Sequence, residues 1–222
     1  MRPAFAHASG LLVLLALAAG APTAAGQWTV QGTGVLSVMR HRVDAGYGVE
    51  PSSGVLAGPE VAATLRDRLT VRLWTRSGSF HADGPGAIDR DVAEAGLQVD
   101  VAALRWLTVQ AGTTRRTYLT VLARQPWTTV ALGAEAHLPF TETGVTGIVR
   151  GAILPGVSVN GLGHPDLAIA VGSGMEYRRG RASAAVLYSL ERYRFAPSAT
   201  ATVERREQLA GLVLSVGWSL KR

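Results

Sequence analysis

Glu135 and His137 stand two residues apart in "AEAHL", a spacing that puts both side chains on one face of a β-strand, where a carboxylate and an imidazole can exchange a proton. The pair has no obvious nucleophile beside it and falls near a strand end, so it reads as a structural histidine rather than an acid/base centre. His81, Asp83 and Asp89 in "FHADGPGAIDR" carry the residue types of hydrolytic catalysis, but in a Gly- and Pro-rich stretch where His and Asp are ordinary solvated side chains. The histidines at 7, 41, 81, 137 and 164 lack the close pairing of a metal site, and the absence of cysteine removes thiolate ligands, Cys nucleophiles and disulfides. "GTGVLS" and "GLGHPD" are Gly-rich, yet neither precedes a helix, whose N-terminus phosphate cradling requires. No cofactor or metal is implied.

The elements that must carry these residues follow a period of two. In "AEAGLQVDV", Ala93, Ala95, Leu97, Val99 and Val101 alternate with Glu94, Gly96, Gln98 and Asp100. "LTVRLWTR" sets Leu69, Val71 and Leu73 against Thr70, Arg72, Trp74 and Arg76, and "LAIAVGSGMEY" repeats the pattern. Such alternation marks strands with two chemically different faces. Ten segments show it, near 28–40, 54–65, 69–80, 91–102, 106–117, 127–138, 144–154, 166–177, 182–195 and 207–220. Connectors such as "RDR" and "RRGR" are brief and alternate with longer ones such as "HRVDAGYGVEPSS", "YLTVLARQP" and "PGVSVNGLGHP". The reading is an all-β, up-and-down antiparallel transmembrane β-barrel of about ten strands, eight being the alternative count. Each segment is long enough for a tilted strand to cross a bilayer core, which takes roughly 9 to 11 residues.

The N-terminus sets the expected compartment. Arg2, the apolar run "LLVLLALAAG" and the small residues "APTAAGQ" have the order of a secretory signal peptide over 1–26, with cleavage after Ala25 or Gly26 and a barrel domain over 27–222. An uncleaved N-terminal anchor is the alternative. The net charge of +6 does not point to nucleic acid: Lys221 is the only lysine, the arginines are dispersed, and no basic helix or aromatic platform occurs. The arginine excess is read as solvated or lumen-lining charge.

If the polar faces turn inward, the lumen collects Arg72, Arg76, Glu94, Gln98, Asp100, Glu135, His137, Arg150 and Glu176. Arg72 and Arg76 are then expected to pair with Glu94 or Asp100, and Arg150 with Glu135 or Glu176, largely plugging a narrow barrel. Trp28, Phe140, Tyr177 and Trp218 fall at one level on the outer face and read as part of an interfacial aromatic girdle. With only 6% aromatic residues, the outward set of Ala, Val, Leu and Gly suits lipid better than a packed soluble core.

With these features the mature chain resembles the small bacterial outer-membrane β-barrel proteins. The resemblance implies residence in outer-membrane lipid with both termini periplasmic. It also implies insertion by the barrel-assembly machinery, which recognises a C-terminal strand. That family commonly ends its last strand on an aromatic, whereas this chain continues past Trp218 through Ser219, Leu220, Lys221 and Arg222. The expected role is structural or surface-interacting, with an unknown external-loop partner. The alternatives are a narrow solute pore, an outer-membrane hydrolase using rim residues such as His81 and Asp83, and a soluble lipocalin-like periplasmic binding barrel whose apolar face turns inward.

Overall fold

The computed structural model describes residues 28–46, 48–84, 88–121, 123–140, 144–160, 162–197 and 203–221. The leader expected over 1–26 lies outside the described residues. Ten strands follow one another: β1 (Trp28–Asp44), β2 (Val49–Leu65), β3 (Leu69–Ala82), β4 (Arg90–Ala102), β5 (Leu107–Leu119), β6 (Arg124–Pro139), β7 (Val145–Val159), β8 (Leu167–Arg179), β9 (Ala182–Phe195) and β10 (Arg205–Lys221). Each runs antiparallel to its chain neighbours, and β1 closes on β10 from Thr29↔Lys221 to Asp44↔Arg206. Closure gives every strand a neighbour on both edges, so no strand presents a whole open edge to aggregate or to sit unpaired in lipid.

The connectors 66–68, 103–106, 140–144 and 180–181 lie at the end that also holds the start of β1 and the end of β10, hereafter the turn end. Those at the opposite, loop end are 45–48, 83–89, 120–123, 160–166 and 196–204. Several loops expected from the sequence are thus mostly strand: β5 runs on to Leu119 and β6 starts at Arg124, absorbing most of "YLTVLARQP". Polar and proline-containing residues do not end these strands because the ladder, once paired, carries them along; Pro51 and Pro126 both lie within it. A tight turn closes Leu65 to Arg68 (Arg68 N–H donates to Leu65 O, 3.0 Å), with Arg66 and Asp67 at φ 51° and 55°. Two consecutive positive φ values are those of a type I′ hairpin turn, whose twist matches the flanking strands.

One irregularity breaks the wall. Val130 pairs with Gly156 and Leu132 with Ile153, so Leu154 and Pro155 together oppose Ala131 in a β-bulge that accommodates a residue without an N–H. The β7–β8 ladder ends at Ile153↔Ile169, and the 160–166 connector folds back beside the free edge, where His164 Nδ1 lies 3.0 Å from the Val157 carbonyl.

Candidate functional site

The register turns one alternate set of each strand into the lumen. Near the turn end and midway up, that set is polar: Gln31 and Thr33 on β1, Glu60 on β2, Arg72 and Arg76 on β3, with matching residues on β4 to β9. Near the loop end the same inward set becomes Met39 and Val43 on β1, Phe80 on β3, Val92 on β4, Tyr118 on β5, Trp127 on β6, Val157 on β7, and Tyr193 and Phe195 on β9. The lumen is therefore divided along its axis.

The polar zone is an ion-pair network between adjoining strands. Arg72 and Gln98 meet across the ladder, and both donate to Asp100, at 2.6 Å each. Asp100 is only 2% exposed. Arg76 sits opposite Glu94 and stands between Glu94 (3.9 Å) and Glu60 (3.7 Å), while Arg72 also approaches Glu60 at 3.8 Å. Glu94 is the hub: it accepts from Arg116 Nε at 2.7 Å and from Trp74 Nε1 at 3.2 Å, and the Trp74 ring occupies the space over Gly96, where no Cβ would fit. Arg116 then grips Glu191 with both terminal nitrogens (2.9 and 3.2 Å), and Tyr193 donates to the same carboxylate at 2.8 Å. A two-pronged Arg–carboxylate contact is the strong form of this interaction.

Two expected partnerships differ. Arg150 stands opposite both Glu135 and Gly172, but Glu135 bonds instead to His137 Nε2 (2.9 Å), and Glu176 pairs with Arg178 on its own strand (2.9 Å). Among the described residues no ion pair within 4.0 Å forms on Arg150, whose stem packs over the bare Gly172 backbone. The His137–Glu135 pair lies close to the turn end, opposite Ile148 and Arg150.

The apolar zone seals the loop end. Phe80 is 0% exposed and Trp127 3%. Trp127 meets Tyr118, Tyr193 and Phe195 edge-on at 6.2, 5.2 and 5.9 Å between ring centroids. His41 stacks on Tyr118 at 5.2 Å and 6°. Its Nε2 lies 3.0 Å from Glu207, which also accepts from Arg205 at 2.7 Å, while Arg90 reaches its Nδ1 at 3.5 Å. With Arg90 donating to Nδ1, Nε2 is the nitrogen that donates to Glu207. Sequence reasoning missed this buried constellation, and the phase of "VLSVMRHRV", which places Met39, His41 and Val43 on one face, is the signal that marks His41 as inward.

Between the zones lies a cavity of about 210 Å³, lined by Glu60, Arg72 and Arg76 from β2 and β3 and by Ala131, Glu135, Ala152 and Leu154 from β6 and β7, with Trp127 and Tyr193 at its loop end. The Arg76 Nε and Trp127 Nε1 atoms are buried without a hydrogen-bond partner among the described residues.

The rim candidates do not converge on this space. His81 alternates with the inward Phe80 and Ala82, so it faces outside, where its Nδ1 meets Asp89 at 3.4 Å; Asp83 accepts from Ser53 at 2.8 Å. The Ala82 N–H donates to Asp89 (2.8 Å), and this bond, with His81 beside it, holds the Asp89 carboxyl below its ordinary range. On the outer wall Trp28, Phe140, Tyr177 and Trp218 are exposed at the turn end, joined by Trp106 in the 103–106 connector. The Phe140 ring covers Gly147.

No family model matches the sequence, and no curated protein matches it. Among solved structures the barrel is similar to the outer membrane protease OmpT from Escherichia coli, with TM-score 0.57 and 10% identity over 89% of this chain and 98% of that one. Further similarities are to the translocator domain of the autotransporter NalP from Neisseria meningitidis (0.46, 10%, 95% and 94%) and to Neisserial surface protein A (0.37, 9%, 86% and 96%). At these identities the likeness concerns fold, and the first score carries it. The chain has the closed, all-β, ten-stranded antiparallel fold of bacterial outer-membrane barrels.

Proposed function

We propose that this protein is an integral outer-membrane barrel with both termini in the periplasm, inserted by the barrel-assembly machinery. Its role is that of a membrane-embedded scaffold: the loop end presents contacts to an external partner, and the lumen passes no solute. The observation that carries this reading is the loop-end plug, in which Phe80, Tyr118, Trp127, Tyr193 and Phe195 from four strands pack together across the lumen. An apolar, close-packed constriction excludes water and therefore hydrated ions. The cavity beneath it, about 210 Å³, is smaller than the roughly 300 to 1,000 Å³ of ordinary ligand pockets and is walled by charge, which disfavours a lipocalin-like role. His81 and Asp89 on the outer face leave a hydrolytic reading without a cleft.

The test is single-channel recording in planar bilayers. Wild-type protein is expected to give no conductance steps, and the double variant Phe80→Ala, Trp127→Ala is expected to give small ones. Steady conductance from the wild type would replace the scaffold with a pore. Recovery of the protein from the soluble fraction after carbonate washing of membranes would remove the membrane assignment itself.

A further inference from the structure

Four arginines stand side by side on the outer wall at the loop end, across the seam where the barrel closes. Register fixes their places. Arg192 of β9 pairs with Gln208 of β10, which pairs with Arg42 of β1, making one transverse row. The row toward the loops runs Arg194, Arg206, Asp44, and the row toward the turns runs Leu190, Ala210, Arg40. Arg40, Arg42, Arg192 and Arg194 are exposed and make no ion pair or side-chain hydrogen bond among the described residues. Arg206 is engaged by Glu204, Asp44 accepts from the Gly46 N–H, and Asp166 lies near Arg194, whose carbonyl accepts from its N–H. Beyond Arg40 the adjoining strands β2, β3 and β4 carry Ser53, its direct ladder partner, then Ser79 and Asp91 on the outer face.

The height of this patch is set by the strands. On β9 the outward residues from Ala182 to Leu190 are Ala, Ala, Val, Tyr and Leu, and on β10 those from Trp218 to Ala210 are Trp, Val, Leu, Leu and Ala. Ten residues separate Ala182 from Arg192, about 33 Å along a strand and about 25 Å along the normal at a tilt near 40°. That matches the apolar band of a transmembrane barrel, so the guanidinium groups sit where that band meets the headgroups. Guanidinium forks on a rigid sheet suit the bidentate geometry of phosphate.

We propose that the Arg40, Arg42, Arg192 and Arg194 patch binds the phosphates of an anionic lipid headgroup in the external leaflet, bridging β9 and β1 over β10 and so clamping the closing seam. This rests on the outer-membrane reading and adds a ligand to it.

The experiment titrates diphosphoryl lipid A into full-length protein folded in zwitterionic detergent micelles and reads the temperature at which the compact gel band unfolds. A chain that forms no heat-modifiable band in micelles and inserts into no vesicle fails the outer-membrane reading before the titration begins. For folded wild type, lipid A is expected to raise the unfolding temperature in a saturable way, since a ligand bound by the native state alone stabilises it by mass action. Arg42→Gln, Arg192→Gln should need roughly tenfold or more lipid for half the rise. The charge-matched control Arg115→Gln, Arg124→Gln, on the β5 and β6 wall, should stay within about twofold of wild type. The assignment is overturned by a wild type indifferent to lipid A, by equal weakening in both variants, or by the same rise from inorganic phosphate alone. If the patch variant fails to fold, the single variants Arg42→Gln and Arg192→Gln, each expected to weaken binding by a smaller factor, carry the comparison.

Discussion

The turn-end and loop-end halves of the barrel wall use the same strands with opposite polarity. On β9 the lower residues put Ala184, Val186 and Tyr188 outside and Ser183, Ala185 and Ser189 inside; a few residues on, Arg192 and Arg194 are outside and Tyr193 and Phe195 inside. β1 makes the same exchange, from Val30 and Leu36 outside with Gln31 and Thr33 inside to Arg40 and Arg42 outside with Met39 and Val43 inside. The pairing register through each of these exchanges is unbroken. A side chain's direction is fixed by the pleat, so in the proposed membrane setting, where the surroundings outside change from lipid to water, only residue type can respond. The lower half is built as a membrane barrel is, with apolar outside and ion pairs within. The upper half is built as a soluble barrel is, around a packed core.

Removing material from the upper core tests this most severely. Phe80→Ala should destabilise the protein by about 3 to 5 kcal/mol, the usual cost of emptying a large buried side chain, read by denaturant unfolding in detergent. Trp127→Phe should cost much less, because the lost indole N–H has no partner to leave behind. A large loss at Trp127→Phe with a small one at Phe80→Ala would mean that the plug is held by polar contacts instead of packing.

In the lower half the corresponding cut is at the hub. Glu94→Ala strips a carboxylate from Arg116, Arg76 and Trp74 together and should cost about 3 to 5 kcal/mol, as breaking one side of a buried pair does. Glu135→Ala, whose bonded partner is a partly exposed His137, should cost about 1 kcal/mol or less. Equal losses at the two positions would show that the polar zone is uniformly solvated.

The exchange of polarity also predicts opposite tolerance to arginine at neighbouring positions of β4. In its lower part Leu97→Arg should impair insertion by roughly 2 to 4 kcal/mol while Gln98→Arg is tolerated. In its upper part the parity reverses: Val92→Arg, buried in the plug, should fail and Asp91→Arg should insert normally. The same parity in both parts would refute the two-zone reading.

That exchange explains what the sequence made legible. A constant rule of apolar outside and polar inside reads the lower strands well, which is why the ten segments and the inward places of Arg72, Glu94 and Asp100 can be taken from period alone. The rule stops where the pattern changes phase. There the strands look finished, so His41 and Tyr118 fall into supposed loops, and Glu191, Tyr193 and Glu207, though within a strand, drop out of the inward set. Arg150 fails for another reason. Register brings Glu135 opposite it, but Glu135 also has His137 on its own face two residues along, and no spacing rule decides which partner wins.

The smallest effect lies at the loop rim, beyond the proposed membrane band. Asp89 joins the 83–89 connector to β3 through the Ala82 N–H and His81, and its folded-state carboxyl titrates below the ordinary value of 3.8. A depressed carboxylate pKa adds stability above the unfolded pKa, and that contribution drains away as pH falls through the folded one. Protection of the Ala82 amide from hydrogen exchange should therefore be constant from neutral pH to about 5 and decline below about 4. Asp89→Asn should flatten that decline without moving global unfolding, because an exposed rim contact is not part of either packed zone. A matching acid-induced drop in global stability would instead tie the rim to the plug beneath it.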